Sequence, residues 1–234
     1  MKKYLSLICL ILVTMSIILL HEDGYYVSST GNGAESTSIE KYIVVIDVGH
    51  GGFDPGKVGV NGELEKDINL SIALKLKKFL ELNDCEVILT RETDTGLYNA
   101  SDSNKKKGDM KKRVQIIEEA SPDIAISIHQ NSFTQESSKG AQVFYHISSK
   151  EGQKLAEILQ EQLKVSLKDG NHRMAKSNDS YYMLKQSNCP LVIVECGFLS
   201  NYGEAKLLSE DTYQEKIAWA IHLGVMNYLY NHKN

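Results

Sequence analysis

The sequence lacks an excess of positive charge, a cysteine framework and internal repeats, and each absence removes a class of function. Its 234 residues carry a formal net charge of −4, whereas nucleic-acid-binding proteins usually present a concentrated basic face. No nucleic-acid partner is therefore expected. The basic cluster that does occur comprises Lys105 to Lys107, Lys111, Lys112 and Arg113. We interpret it as a solvated loop and helix face, with contact to an acidic polymer or partner as the alternative.

The four cysteines do not form a recognisable pattern. Cys9 lies inside an N-terminal apolar run without small residues before it, so lipid attachment is not expected there. The other three, Cys85, Cys189 and Cys196, are an odd number and indicate no disulfide framework. Cys85 and Cys196 lie in or beside apolar runs, which favours buried thiols that pack as small hydrophobes. A cysteine nucleophile is not expected.

The N-terminus has the order of an export signal, with two lysines followed by the uninterrupted apolar run 4–20. That run reaches the lower end of the roughly 17–25 residues that span a bilayer, and no clean cleavage site follows it. Residues 1–21 are thus a cleaved signal peptide or a membrane anchor, and both alternatives stay open. Either one exports the rest of the chain. Residues 22–40 are polar and Gly/Ser-rich and are predicted to be a linker; a folded domain is expected over 41–234, with membrane contact only through 4–20.

Apolar strand-like runs alternate with amphipathic helical stretches over the rest of the chain. Strands are predicted at 42–47, 85–90, 123–130, 141–147 and 190–195, and helices at 64–82, from about Asp109, at 150–167 and at 211–230. Near-continuous apolar strands joined by helical crossovers are typical of a parallel sheet that is covered on both faces. The predicted fold class is α/β: a doubly wound, mostly parallel twisted sheet of about six strands with helices on both faces.

The stretch VIDVGHGGFDPGKVG contains Gly51-x-x-x-x-Gly56-Lys57, the spacing of a phosphate-binding loop. The motif requires Ser or Thr after the lysine, and Val58 stands there instead. Pro55 also removes one of the backbone donors that would cradle a phosphate. A nucleotide site is therefore a minor hypothesis, which would predict stabilisation by ATP that is lost in Lys57→Ala. Export of the chain argues against it.

Polar residues follow three of the apolar strands: His50, His129 and Glu195. The carboxyl ends of strands in an open α/β sheet border one crevice, so these side chains can converge. Glu65, at the start of the first helix, can join them. Two histidines and one carboxylate around an open position are the ligands of a hydrolytic zinc site, which leaves the other carboxylate as a base.

Each of these residues also has a structural interpretation. A single histidine after a strand is more often a hydrogen-bonded structural residue, and Glu65 alone is a favourable charge at a helix N-terminus. Glu195 is harder to explain in this way, because a buried carboxylate that closes an apolar strand is costly unless it is paired or functional. Asp47 can orient His50 or make a structural hydrogen bond; both alternatives remain.

Seven segments in order resemble the zinc-dependent N-acetylmuramoyl-L-alanine amidases of the amidase-3 type, and the resemblance extends from Tyr42 to Tyr230. The segments are IDVGHGGFDPG, GELEKDINLSIALKLKKFL, VILTRETD, MKKRVQII, ISIHQNS, GAQVFYH and PLVIVECGFLSN. The resemblance implies one Zn²⁺ ion held by His50, Glu65 and His129. It implies that Glu195 is the general base, and it selects Glu65 over Glu63 as the ligand.

The family resemblance also implies a reaction and a location. The expected reaction is hydrolysis of the amide bond between N-acetylmuramic acid and L-alanine in peptidoglycan. Within the family, the chain has features of the sporulation type, which acts in the spore cortex on the route to muramic-δ-lactam. An activating or accessory protein partner and a location on the outer face of a membrane, or in the spore cortex or intermembrane space, are part of this expectation. The alternative is a catalytically silent peptidoglycan-binding module of the same fold.

Overall fold

The computed structural model describes residues 41–232, and the expected N-terminal signal or anchor and its linker lie outside this range. Six strands form one sheet. They are β1 (Ile43–Val48), β2 (Glu86–Leu89), β3 (Ile124–Asn131), β4 (Gln142–His146), β5 (Lys176–Asn178) and β6 (Leu191–Phe198). Six helices are described: α1 (Glu65–Glu81), α2 (Lys105–Ala120), α3 (Lys150–Leu167), α4 (Tyr182–Gln186), α5 (Tyr202–Leu208) and α6 (Asp211–His232).

The strand order is β2-β1-β3-β6-β4-β5. All neighbouring pairs are parallel except β4 and β6, which are antiparallel. The prediction of a mostly parallel sheet of about six strands is confirmed. Because β1, β3 and β6 are parallel and adjacent, their carboxyl ends lie side by side, and we call this side of the sheet the carboxyl edge.

Helices cover both faces of the sheet, as predicted. Val44, Ile46 and Val48 of β1 belong to the larger apolar core, which also contains side chains of α1, α3 and α6. Val45 belongs to a second core with side chains of α2 and α4. This alternation follows from the two-residue period of a strand, and it places Asp47 on the side of α2.

Local sequence explains where most helices begin. Helix α1 has Glu65 and Asp67 in its first turn and Lys78 in its last, which complements the helix dipole. Ser149 caps α3 by accepting a hydrogen bond from the Gly152 N–H. Helix α2 begins at Lys105 rather than near Asp109, because the Asn104 side chain caps it by accepting from the Lys107 N–H. The lysine run therefore forms the first turn of a helix.

Two further features concern the cysteines and the membrane. Cys85, Cys189 and Cys196 form no disulfide with one another, and Cys85 and Cys196 are buried, in agreement with the sequence pattern. Within residues 41–232, no helix combines the length and the apolar character needed to cross a bilayer.

Candidate metal centre and active site

The loop that follows β1 carries His50 in an unusual backbone conformation. His50 has φ +62°, a left-handed conformation that is uncommon for a residue other than glycine. Gly51 and Gly52 follow with φ of +142° and +58°, where glycine avoids the steric cost of a side chain. The chain reverses sharply here and presents the imidazole at the carboxyl edge.

Arg91 holds this loop in place. Its guanidinium donates to the carbonyl oxygens of His50 at 2.7 Å, Gly49 at 3.1 Å, Thr93 at 3.0 Å and Lys66 at 2.8 Å. These four bonds tie the loop to α1 and to the segment after β2. They compensate for the strained backbone of His50.

Glu65 lies in the first turn of α1 and points at both histidines. Its Oε1 atom is 3.2 Å from His50 Nε2 and 2.9 Å from His129 Nδ1. Its Oε2 atom accepts from the Lys57 N–H at 2.7 Å. Glu63, the other candidate, instead bonds the side chain and backbone N–H of Asn61. The structure thus brings Glu65, and not Glu63, to the histidine pair.

Two glycines leave the space that this cluster occupies. A Cβ atom on Gly49 would lie 2.4 Å from the His129 ring. A Cβ atom on Gly56 would lie 2.6 Å from Glu65 Oε2 and 2.7 Å from His50 Cδ2, at a φ of +71°. Both positions require glycine because of close approach to the cluster, a reason that cannot be deduced from the sequence pattern alone.

The cluster fits a divalent cation. His50, Glu65 and His129 each offer one ligand atom, and these atoms all lie within 4.8 Å of one another. Ligand atoms about 2.0–2.2 Å from a tetrahedral ion lie about 3.3–3.6 Å apart, close to the measured separations around Glu65. Two imidazoles with one carboxylate are a donor set that zinc accepts readily.

Mutual hydrogen bonding determines the charge state of the cluster. Burial alone would raise the pKa of Glu65, but the hydrogen bonds and positive potential of His129 and His50 outweigh it and hold that pKa far below its ordinary value. Burial lowers the pKa of His129 despite its contact with Glu65. Burial also disfavours the charged form of His50, but its hydrogen bonds to Glu65 and Asp54 raise its pKa. Metal binding requires neutral imidazoles, so a metal that binds this cluster has to displace a proton from His50.

Glu195, in the middle of β6, lies directly beside His129 in the strand register. It lines a cavity of about 250 Å³ together with His50 and His129. Its Oε2 atom is buried and has no hydrogen-bond partner among the described residues. Burial, with a further contribution from the charge of Glu65, raises the pKa of Glu195 to about 8. A buried, unpaired carboxyl in a cleft is the environment of a proton-transfer group.

The rest of the cavity combines charged and apolar side chains. Asp54, Lys106, Asp109, Met110, Arg113, Tyr181, Tyr182, Met183 and Ile193 complete its lining. None of these residues is among the four site residues expected from the sequence. Most come from α2 and from the start of α4. These two helices lie near the carboxyl edge because of how they pack against the sheet, and no local motif places them there.

Asp47 does not orient His50. Its carboxylate accepts hydrogen bonds from Arg113 Nε at 2.6 Å, from Ser127 Oγ at 2.5 Å and from Thr90 Oγ1 at 3.2 Å. Of the two alternatives for Asp47, the structural hydrogen bond is therefore the one observed. The carboxylate beside the Nδ1 atom of His50 is that of Asp54, whose Oδ2 lies 3.0 Å away. The sequence signal that could have indicated this contact is a carboxylate four residues after a histidine in a tight turn.

The geometry also argues against a phosphate-binding loop. Helix α1 begins at Glu65, eight residues after Lys57, so no helix N-terminus faces the glycine-rich segment directly. The Lys57 N–H, which a phosphate would need, donates to the Glu65 carboxylate. An anion placed there would meet an ionised carboxylate.

The chain is similar to known proteins in both sequence and structure. The sequence profile of the N-acetylmuramoyl-L-alanine amidase family matches residues 44–227. The germination-specific N-acetylmuramoyl-L-alanine amidase of Bacillus subtilis is 36% identical over 189 residues, which cover 80% of this chain and 79% of that protein.

Solved structures give the same result. The CwlD amidase of Clostridioides difficile, solved in complex with the GerS lipoprotein, has a TM-score of 0.79 and 42% identity, covering 81% of this chain and 99% of that one. The catalytic domain of CwlV, an N-acetylmuramoyl-L-alanine amidase of Bacillus (Paenibacillus) polymyxa var. colistinus, has a TM-score of 0.71 and 30% identity, covering 81% and 98%. Fold, site geometry and sequence thus agree that the chain belongs to the N-acetylmuramoyl-L-alanine amidase family.

Proposed function

We propose that this protein is a zinc-dependent hydrolase that cleaves the amide bond between N-acetylmuramic acid and L-alanine in peptidoglycan. The observation that carries the proposal is the convergence of His50, Glu65 and His129 in one cluster, whose two histidines line a cavity together with Glu195. The Oε2 atom of Glu195 has no hydrogen-bond partner among the described residues. The first three residues are the metal ligands. Glu195 is the general base, since it lies in the same cavity but outside the group of three ligand atoms.

The metal and the protein divide the chemistry between them. A zinc ion in such a site polarises a carbonyl group and lowers the pKa of water to about 7. Glu195 accepts a proton from the attacking water and delivers it to the leaving amine nitrogen, so that water and amide become a carboxylic acid and a free amine. A nearby dication favours the ionised form of Glu195 and thereby opposes the raised pKa that burial causes.

The biological setting of the proposal follows from the relatives. The names of the Bacillus subtilis and Clostridioides difficile relatives connect amidases of this kind with germination and with a lipoprotein partner. We extend both to this chain: its substrate is spore-cortex peptidoglycan, it acts outside the cytoplasm, and an accessory protein binds it. The apolar run at residues 4–20 and the net acidic charge are compatible with this setting.

Peptidoglycan digestion tests the reaction. Purified protein is incubated with spore and with vegetative peptidoglycan, in chelator and with added zinc, and released fragments are identified by mass spectrometry. We expect zinc-dependent release of free stem peptides that begin with L-alanine. A preference for spore material supports the cortex assignment. Retained binding to peptidoglycan without any release, in protein shown to hold zinc, would instead support a silent binding module.

A pair of neighbouring glutamates provides the matched control for the metal ligands. Glu65→Gln is expected to lower the zinc content and to abolish release, because it removes a charged ligand from between the two histidines. Glu63→Gln removes the same charge two residues away and is expected to leave the zinc content and the release of stem peptides unchanged. Zinc content is measured by elemental analysis of protein purified without added metal. Equal zinc content in the two variants would contradict the ligand assignment.

A further inference from the structure

Asp54 forms part of the same turn as His50. Gly51 and Asp54 pair through two backbone hydrogen bonds of 3.1 and 3.2 Å, so the turn returns the chain to the imidazole. The Asp54 side chain is 15% exposed, and its Oδ2 atom lies 3.0 Å from His50 Nδ1. The carboxylate therefore occupies the side of the ring that faces away from Glu65.

The two nitrogens of His50 face two different carboxylates. Nε2 is directed at Glu65, which also contacts His129, whereas Nδ1 is directed at Asp54. A neutral imidazole has one N–H donor and one lone pair. If Nε2 provides the lone pair for a metal, the proton must be on Nδ1, and a hydrogen-bond acceptor beside Nδ1 stabilises that tautomer and orients the ring. Asp54 is that acceptor.

A lysine from another element holds Asp54 in turn. Lys106 Nζ, in the first turn of α2, is 2.9 Å from Asp54 Oδ1. The Gly56 N–H donates to the same oxygen at 3.3 Å. The Lys106 side chain is 62% exposed, and an ion pair with so much solvent contact contributes little to stability. Its placement is better explained by the orientation it gives to the Asp54 carboxylate.

We propose that Asp54, oriented by Lys106, is a positioning residue that holds the Nδ1 proton of His50 and thereby turns Nε2 toward Glu65 and His129. This inference rests on the metal centre of the proposed function. It assigns a role to Lys106 within the lysine run at the start of α2, for which the sequence pattern indicated a solvated face or contact with an acidic polymer or partner. The adjacent Lys105 lies over the rings of Phe53 and Tyr98, at 5.7 and 5.2 Å from their centroids, and so contacts the same loop without reaching Asp54.

Zinc affinity of the full-length protein is the first measurement, made with a competing chelator and zinc as the only ligand. Asp54→Ala is expected to weaken zinc binding about 10–100-fold, the usual effect of losing the hydrogen-bond partner of a ligand histidine. Lys106→Ala is expected to weaken it less. Lys107→Ala removes the same charge from an exposed neighbouring position and serves as the control. Unchanged affinity in Asp54→Ala would overturn the proposal.

Two further measurements separate positioning from a general structural role. Metal-free Asp54→Ala is expected to unfold at the temperature of the metal-free wild type, and a large drop in that temperature would overturn the assignment. In protein labelled with ¹⁵N-histidine, His50 is expected to show a downfield, exchange-protected Nδ1–H that disappears in Asp54→Ala. Absence of this signal in the wild type, or its persistence in the variant, would also overturn it.

These outcomes can be distinguished from a failure of the proposed function. The histidine signal is recorded in metal-free protein and needs neither zinc nor peptidoglycan. A wild type that shows the protected Nδ1–H but releases no stem peptides would leave the positioning role intact and contradict the amidase reaction. His50→Ala identifies the resonance, because the labelled chain has only seven histidines.

Discussion

Asp47 and Glu195 are both buried carboxylates on inner strands of one sheet, yet their surroundings are opposite. Asp47 is completely buried and receives hydrogen bonds from Arg113, Ser127 and Thr90. Burial would raise its pKa, but Arg113 and Ser127 outweigh this effect and lower it. Glu195 has a buried oxygen that finds no hydrogen-bond partner within residues 41–232, and its pKa is raised to about 8.

The difference is the one expected between a structural carboxylate and the proton-transfer group that we propose Glu195 to be. A fully hydrogen-bonded charge stabilises the fold but has no lone pair left for a substrate. An unpaired carboxyl costs stability, and a protein retains such a group where the chemistry needs it. The strand register explains the contrast. Asp47 lies level with Ser127 and on the side of α2, whereas Glu195 lies level with His129, two positions farther along, and lines the cavity.

The largest expected effect concerns Glu195. Glu195→Gln keeps the shape of the side chain but cannot accept a proton, so release of stem peptides is expected to fall by roughly 10²–10⁴-fold. Zinc content and thermal stability should be unchanged or slightly higher, because an unpaired buried carboxyl is removed. Glu157→Gln, on the exposed side of α3, is the control and should retain full activity. Near-normal activity in Glu195→Gln would mean that another group is the base.

The next effect concerns the stability contributed by Asp47. Asp47→Asn leaves the Arg113 guanidinium buried without a counter-charge and is expected to reduce the free energy of unfolding by about 3–5 kcal/mol. Urea unfolding of the metal-free proteins measures the loss. The double variant Asp47→Asn with Arg113→Met should be more stable than Asp47→Asn alone, because the uncompensated charge is gone. A further loss in the double variant would show that Arg113 stabilises the fold independently of Asp47.

The smallest effect is a pair of pH dependences with opposite signs. The pKa of Asp47 is lowered from 3.8, so its contribution is present above that value and is lost as the pH falls through the lower folded pKa. The stability difference between wild type and Asp47→Asn should therefore shrink in acid. The pKa of Glu195 is raised from 4.5 to about 8, so metal-free wild type should lose stability relative to Glu195→Gln as the pH rises through that interval. If the free energy of unfolding changed with pH in the same way for wild type and both variants, the opposite surroundings assigned to Asp47 and Glu195 would be contradicted.

The site could be predicted to the extent that it depends on strand ends. His50 follows β1, whereas His129 and Glu195 lie within the last half of β3 and β6, and adjacent parallel strands bring such residues to one side of the sheet. The choice of Glu65 over Glu63 needed the family resemblance. The two residues are both near the start of α1, and only the direction of the first helical turn decides which side chain reaches the histidines.

The partners of these residues could not be predicted. Asp47 was one candidate to orient His50, but strand alternation directs it to α2 and Arg113, while Asp54 reaches the ring through a turn. The lysine run looked like a solvated face, yet Lys106 contacts Asp54 across 52 positions of sequence. No local pattern encodes such a contact, because it depends on how α2 packs over the sheet.

The sequence by itself thus determined the α/β class, the mostly parallel sheet and the proposed residues His50, His129 and Glu195, since hydrophobic periodicity and strand ends are local properties of the chain. The family resemblance selected Glu65 as the fourth. Tertiary structure alone decided which carboxylate is paired and which is left unpaired, which nitrogen of His50 faces Glu65, and which side chains enclose the cavity. These properties depend on distances of about 3 Å between residues far apart in sequence, and only the packing of helices against the sheet sets such distances.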